Sequence, residues 1–400
     1  FPPSPFHQIS NSTSASISDL FSSGPEQQII TRNGTSCDLF SGKWVQDSSG
    51  PLYNGTKCST IKEGQNCMAH GRPDMGFLHW RWAPSQCDLP RFEPYKFLRL
   101  LANKHLAFVG DSLARNQLES LLCMLATVSS PDLVYSRGEN KEFRRWYVAS
   151  HNLTISLYWS PFMVRVVEKS TSDPNNKIYL DFVDERWASE LGSFDIIVLT
   201  FGNWFLIPGV YYKGQDQVLG CHSCIGLNHT EIGFYDVFRT ALKTAIKTIK
   251  ERRLLTSQTQ LDVLVTTFPP SHFEGEWDKL GACAKTVPFE EGERELNWVE
   301  KTMRGIVIEE VKATTLEIGE KNENIKMEVF DVTGLSSMRP DGHPGAYMNP
   351  FPFAKGVVGD RVPNDCVHWC LPGPIDTWNE IFLELVNRFL HDSGKGEIIL

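Results

Sequence analysis

Three features of the chain predict an α/β fold with a largely parallel sheet and helices on both of its faces. Short, almost wholly apolar runs recur along the sequence, and amphipathic stretches of helical length separate them. Strands buried on both faces read as continuous apolar runs, and parallel neighbours need helical crossovers between them. The composition also allows a large core, with 41% hydrophobic and 22% charged residues in 400.

In chain order, 105–110 (HLAFVG) is the first strand, followed by a helix over 114–126. Residues 195–200 (DIIVLT) form a second strand, and 233–252 a helix with apolar residues at helical spacing. A third strand covers 261–267, a helix 289–316, a fourth strand 327–332 and a last amphipathic helix 376–390. The segment 144–167 departs from the pattern: its β-branched and aromatic alternation suggests an antiparallel hairpin inserted in the α/β framework. Residues 37 to about 94, rich in Cys, Trp, Gly and Pro without a long periodic segment, read as a minor lobe held by disulfides. The expected organisation is therefore a flexible Ser/Thr-rich stem (1–36), the Cys-rich segment (37–100), a catalytic domain (101–392) and a short tail (393–400). A signal peptide or membrane anchor would have to lie upstream of the stem.

A net charge of −9, with Lys and Arg scattered and not gathered into a stripe, argues against nucleic acid as a partner. The ten cysteines are even in number, and Cys221-His-Ser-Cys224 is the one Cys-x2-Cys unit. With no second such unit to complete a zinc site, disulfides are expected and no metal. Asn11, Asn33, Asn54, Asn152 and Asn228 each begin an Asn-x-Ser/Thr glycosylation sequon. Together these features point to the secretory pathway.

The strongest chemical signal is Gly110-Asp111-Ser112, where the first strand ends and its helix begins. Active sites of parallel sheets collect at that edge, and helix N-terminal N–H groups there face any oxyanion forming beside Ser112. The alternative reading is helix capping by Asp111 or Ser112. A serine nucleophile needs a base, and His368 stands out because Asp365, three residues earlier, can hydrogen-bond its ring, fix its tautomer and stabilise the imidazolium. Gly202 and Asn203 follow the second strand, so the Asn203 amide can join an oxyanion hole or merely form a turn. Arg115 and Asn116, in the first turn after Ser112, can hold the acidic partner or the substrate. His272 and His343 follow strands and read as loop or supporting histidines.

The runs Trp80-Arg-Trp-Ala-Pro-Ser-Gln-Cys87-Asp-Leu-Pro, Phe108-Val-Gly-Asp-Ser-Leu-Ala-Arg-Asn-Gln and Asp365-Cys-Val-His-Trp-Cys-Leu-Pro-Gly-Pro resemble the plant trichome-birefringence-like family over 37–390. The resemblance implies an SGNH/GDSL-hydrolase-like three-layer α/β/α fold, a Golgi type II membrane origin and O-acetylation of cell-wall polysaccharides. It puts the Gly-Asp-Ser motif on Gly110, Asp111 and Ser112, and the Asp-x-x-His motif on Asp365 and His368. It also implies pairing of Cys37 with Cys87, Cys58 with Cys123, Cys67 with Cys370 and Cys283 with Cys366, with Cys221–Cys224 as a local fifth bridge. Gly202-Asn-Trp-Phe-Leu-Ile-Pro, with the Cys221–Cys224 unit, resembles the branch acting on xyloglucan side chains, with xylan or mannan as further acceptors. No bound cofactor is implied, but an acetyl donor is required, acetyl-CoA or another acetyl carrier. Hydrolysis of the same acyl-serine by water, or glycan binding without turnover, would use the same residues.

Overall fold

The four apolar runs lie side by side in one seven-stranded sheet. The structure, a computed structural model, describes residues 37–138, 143–224, 226–256, 259–319, 324–354 and 361–392. The expected stem with Asn11 and Asn33, and the tail 393–400, lie outside the described residues.

The Cys-rich segment contains β1 (Gly42–Gln46) and β2 (Trp80–Pro84), paired antiparallel. Then come α1 (Pro94–Leu100), β3 (His105–Gly110), α2 (Ser112–Leu125), β4 (Asp132–Arg137), β5 (Phe143–Val148), β6 (Leu153–Trp159), β7 (Val164–Val167) and β8 (Asn176–Val183). After α3 (Glu185–Ala188) follow β9 (Ile196–Thr200), β10 (Gly209–Lys213), β11 (Gln217–His222) and α4 (Tyr235–Thr256). The chain closes with β12 (Leu261–Thr266), α5 (Trp298–Gly319), β13 (Ile325–Phe330), α6 (Thr333–Ser337) and α7 (Asp376–Asp392).

The main sheet has the order β13-β12-β9-β3-β6-β5-β4. It is parallel from β13 to β6, and β5 and β4 continue it antiparallel. Alternation along β3 explains the layers. Leu106 and Phe108 face a core shared with α1, α2 and α7, whereas Ala107 and Val109 face a second core shared with α4 and α5. From β3 the chain goes first to β6 on one side and later to β9 on the other, so the sheet switches direction at the C-terminal end of β3. That crevice is where ligands bind in open α/β sheets.

Two expectations need correction. The hairpin of 144–167 is antiparallel between β5 and β6, but it is no insertion, because β6 also pairs parallel with β3 from His105↔Thr154 to Gly110↔Trp159. Its alternation misleads because Ser156 is polar yet fully buried, bonded to His105 Nε2 at 2.8 Å and to Arg145 Nε at 3.0 Å. The helix expected from 289 starts only at Trp298. Asn297 Oδ1 accepts from the Glu300 N–H at 3.0 Å and Glu300 Oε2 from the Asn297 N–H at 2.9 Å, a reciprocal cap that sets the boundary. A further sheet, β11-β10-β8-β7, has no counterpart in the sequence reading.

The Cys-rich segment adds Leu39, Trp44, Tyr53 and Trp82 to the core that α2 and α7 share. Five disulfides close the molecule: Cys37–Cys87, Cys58–Cys123, Cys67–Cys370, Cys221–Cys224 and Cys283–Cys366. Cys67–Cys370 spans 303 residues and ties the first lobe to the segment just before α7. Replacing both of its cysteines by serine is expected to cost about 2–5 kcal/mol of stability. Denaturant unfolding of the double variant beside the wild type checks this; an unchanged midpoint would contradict it.

Candidate active site

Ser112 opens α2 at the C-terminal edge of β3, at the switch point of the sheet. Gly110 lets the chain turn there: a Cβ on it would come within 1.8 Å of the Thr200 carbonyl oxygen on β9. Asp111, next along, donates its N–H to that same carbonyl at 3.0 Å and accepts from the Leu113 N–H at 2.9 Å, so it is the N-cap of α2. The cap leaves Ser112 as the first helical residue, half-buried, with its N–H among those that have no intrahelical acceptor.

Asp365 and His368 meet on the loop before α7. Asp365 Oδ1 accepts from the N–H groups of Val367 (3.0 Å) and His368 (2.9 Å), and Oδ2 lies 2.7 Å from His368 Nδ1. Burial alone would raise the Asp365 pKa, but His368 and these N–H donors outweigh it and hold the carboxyl well below the usual carboxylate range. An ionised Asp365 needs Nδ1 as donor, which leaves the lone pair of the neutral ring on Nε2. Nε2 is buried and has no hydrogen-bond partner among the described residues, the position a general base needs.

What joins the serine to the histidine is Asn116, one turn after Ser112. Its Oδ1 accepts from the Trp369 N–H at 2.7 Å and its Nδ2 donates to the Trp369 carbonyl at 3.2 Å. The residue after His368 is thereby fixed to the first turn of the serine's helix. Cys283–Cys366 and Cys67–Cys370 hold the loop from either side. Gly202 and Asn203 follow β9, the strand beside β3, and the buried Asn203 Nδ2 has no hydrogen-bond partner among the described residues, which leaves one amide donor free at that end of the sheet.

Two candidate site residues take other roles than direct contact with a substrate. Asn116 is fully buried and spends both ends of its amide on Trp369, so it orients the catalytic loop. Asp111 is likewise fully buried, and burial raises its pKa to about 6 against the pull of the Leu113 N–H and His368; it caps the helix and brings no donor to an oxyanion when ionised. Arg115 lies 3.8 Å from Glu119 and 5.9 Å above the Trp159 ring, which in turn meets Trp204 edge-on at 5.4 Å.

Sequence reasoning missed the arginines behind the loop. Arg72 donates to the carbonyls of Asp341 (2.7 Å) and His343 (2.8 Å), and Arg339, only 1% exposed, pairs with Asp341 and donates to the Phe77 carbonyl at 2.7 Å. No local spacing marks either as a support, since the backbone carbonyls they bond lie more than 260 residues away in the chain. Among the sequon asparagines, Asn54, Asn152 and Asn228 are all exposed, as a glycan requires.

Two family models match the chain. One, described as the PMR5 N terminal domain, covers residues 35–88, which is the Cys-rich segment. The other, PC-Esterase, is described as a GDSL/SGNH-like acyl-esterase family found in Pmr5 and Cas1p and covers residues 89–385. The chain is 59% identical over 398 residues to xyloglucan O-acetyltransferase 1 of Populus trichocarpa, an alignment covering 99% of this chain and 91% of that protein. It is 60% identical over 369 residues to xyloglucan O-acetyltransferase 2 of the same species (92% and 86% covered) and 54% identical over 354 residues to xyloglucan O-acetyltransferase 1 of Arabidopsis thaliana (88% and 81%). Further relatives at 39–42% identity include trichome birefringence-like proteins 25, 26, 23 and 20 of Arabidopsis thaliana. With a three-layer α/β architecture, a serine at the switch point and these matches over nearly its whole length, the chain belongs to the PC-Esterase family, in its trichome birefringence-like group.

Proposed function

We propose that this enzyme transfers an acetyl group through an acetyl-Ser112 intermediate to a hydroxyl of a plant cell-wall polysaccharide, with xyloglucan side-chain galactose as the acceptor. The chemistry rests on one observation: the unpartnered Nε2 of an Asp365-oriented imidazole, on a loop bonded to the helix that Ser112 begins. The acceptor rests on the names of relatives at 54–60% identity.

In the first half-reaction Ser112 Oγ attacks the acetyl carbonyl while His368 Nε2 takes the hydroxyl proton. Asp365, still ionised, stabilises the imidazolium. The tetrahedral oxyanion is held by the N–H groups of Ser112 and the Gly202 turn with the Asn203 amide. Collapse expels the donor's leaving group, which takes the proton from His368. In the second half a sugar hydroxyl gives its proton to His368 and attacks the acetyl-enzyme, forming the acetate ester and restoring Ser112. The donor is acetyl-CoA or another acetyl carrier. The exposed sequons and the disulfides support work in the secretory pathway, and the Golgi lumen is the proposed site.

Intact mass spectrometry after exposure to an isotope-labelled acetyl donor is expected to show one acetyl group on the protein, absent from Ser112→Ala. Chasing with deacetylated xyloglucan, xylan and mannan should move the label to xyloglucan; label released only as free acetate would make the enzyme an acetylesterase. Ser112→Ala should lower turnover by at least about 10³-fold, and a fully active variant would overturn the mechanism. Asn116→Ala leaves the buried N–H and C=O of Trp369 unpaired, at about 1–3 kcal/mol. Because it frees the His368 loop, kcat should fall by roughly 10²-fold with little change in KM; a loss confined to KM would show that Asn116 acts on the substrate instead.

A further inference from the structure

Behind the catalytic loop, two histidines stand in a row between two backbone carbonyls. His272, on the segment after β12, has Nε2 2.8 Å from the Ser337 carbonyl oxygen and Nδ1 2.7 Å from His343 Nε2. His343 Nδ1 lies 2.7 Å from the carbonyl oxygen of His368 itself. The two residues are 7% and 4% exposed.

Proton counting decides the state of this row. A carbonyl oxygen only accepts, so His272 Nε2 and His343 Nδ1 must both donate. Two neutral imidazoles carry one proton each, and those bonds use both. The central contact would then set two nitrogen lone pairs against each other at 2.7 Å, a hydrogen-bond distance that needs a proton between them. We propose that His272 and His343 share a third proton as a buried monocation that holds the catalytic loop through the His368 carbonyl, and that losing this proton as pH rises releases the loop. Both are positioning residues, and the proposal rests on the role of His368 assigned above.

The surroundings supply arguments in both directions. Burial disfavours the charge and is the main reason that His272 is pushed down to about 4 and His343 well down too. Arg294, which pairs with Glu300 at 2.6 Å, opposes it at His272, and His368 opposes it at His343. On the other side, Asp365 favours charge on His343, and the Trp369 ring stacks on the His343 ring at 4.2 Å and 20°, presenting its negative face. Arg72 reaches the His343 carbonyl but is paired with Asp74, and Arg339 on the same segment is neutralised by Asp341. The N–H···N bond and the two donated bonds therefore carry the third proton. The sign follows: a group protonated in the working state helps at low pH, and the help is lost as pH rises through its pKa. His272 also lines a cavity of about 440 Å³ with Ser271, Arg294 and Asn297, a route by which the proton exchanges with solvent.

Neutron diffraction from the wild-type protein counts the protons directly. Three deuterons on the four ring nitrogens at near-neutral pH are expected, and two would overturn the proposal. The pH–rate profile gives a second reading, since turnover should fall roughly tenfold per pH unit on its alkaline side, as for a single ionisation. His272→Gln, which cannot take a third proton, should lose this alkaline limb. An alkaline limb unmoved in that variant would also overturn the proposal. Acetylation of Ser112 by an activated acetyl ester separates the two readings: if it fails, the acyl-serine mechanism fails while the deuteron count still decides the histidine pair.

Discussion

The structure depends most on the two-way bond between the Asn116 side chain and the Trp369 backbone. It joins positions 253 residues apart, between a helix at the sheet's switch point and a loop near the end of the chain. A contact of that separation has a large loop-closure cost, and one amide could not hold it alone. It is reinforced along the same helix. Asn379 on α7 donates to the Gln117 carbonyl at 3.1 Å and to Ser120 Oγ at 2.9 Å, and Ser120 donates to Asp376 at 2.6 Å. Four polar residues of α2, Asn116, Gln117, Glu119 and Ser120, are buried, which a surface helix would not tolerate. Asn116, Glu119 and Ser120 find partners on the neighbouring segments and Gln117 donates its amide to Asn379, and these bonds set α7 and its preceding loop in register with Ser112.

The Cys-rich segment bears on the same loop from behind. Trp44 Nε1 donates to the Leu335 carbonyl at 2.9 Å, and the Arg339 guanidinium lies 4.3 Å above the Trp44 ring. The Lys62 N–H donates to Glu119 on α2 at 3.0 Å. Burying guanidinium groups is expensive unless each is paired and bonded. Here Arg72 and Arg339 spend their donors on carboxylates and on carbonyls of opposite lobes, so the cost is offset only when both lobes are in place. The segment thus serves the site by fixing the backbone that carries His343 and, through it, His368.

The parts of this arrangement that reside in local pattern are legible in the sequence. The apolar runs give β3, β9, β12 and β13, and Asp-x-x-His spacing implies a carboxylate–imidazole bond, which forms at 2.7 Å. What depends on distant partners is not legible. Ser156 disguises β6 because its bonds to His105 and Arg145 come from other strands. Asn116 looks like a substrate ligand from its place after Ser112 until Trp369 is seen to use both ends of its amide. Ten cysteines permit many connectivities, and spacing alone selects none of them. The His272–His343 pair unites loops after different strands, so nothing near either residue announces it.

The two carboxyls near His368 show how environment divides labour between like groups. Asp365 receives two backbone N–H bonds and the imidazole, which hold it ionised well below the usual carboxylate range. Asp111, equally close to the reacting centre in sequence, is fully buried, and its Leu113 N–H bond does not compensate, so its pKa climbs to about 6. An ionised Asp111 would lay negative charge beside the oxyanion that forms next to Ser112, whereas a protonated one keeps the helix N-terminus free to favour that oxyanion. In mildly acidic surroundings the two groups are therefore in opposite states. Asp365 supports the positive charge that appears on His368 during attack, and Asp111 withholds a negative charge that would oppose the charge appearing on the substrate.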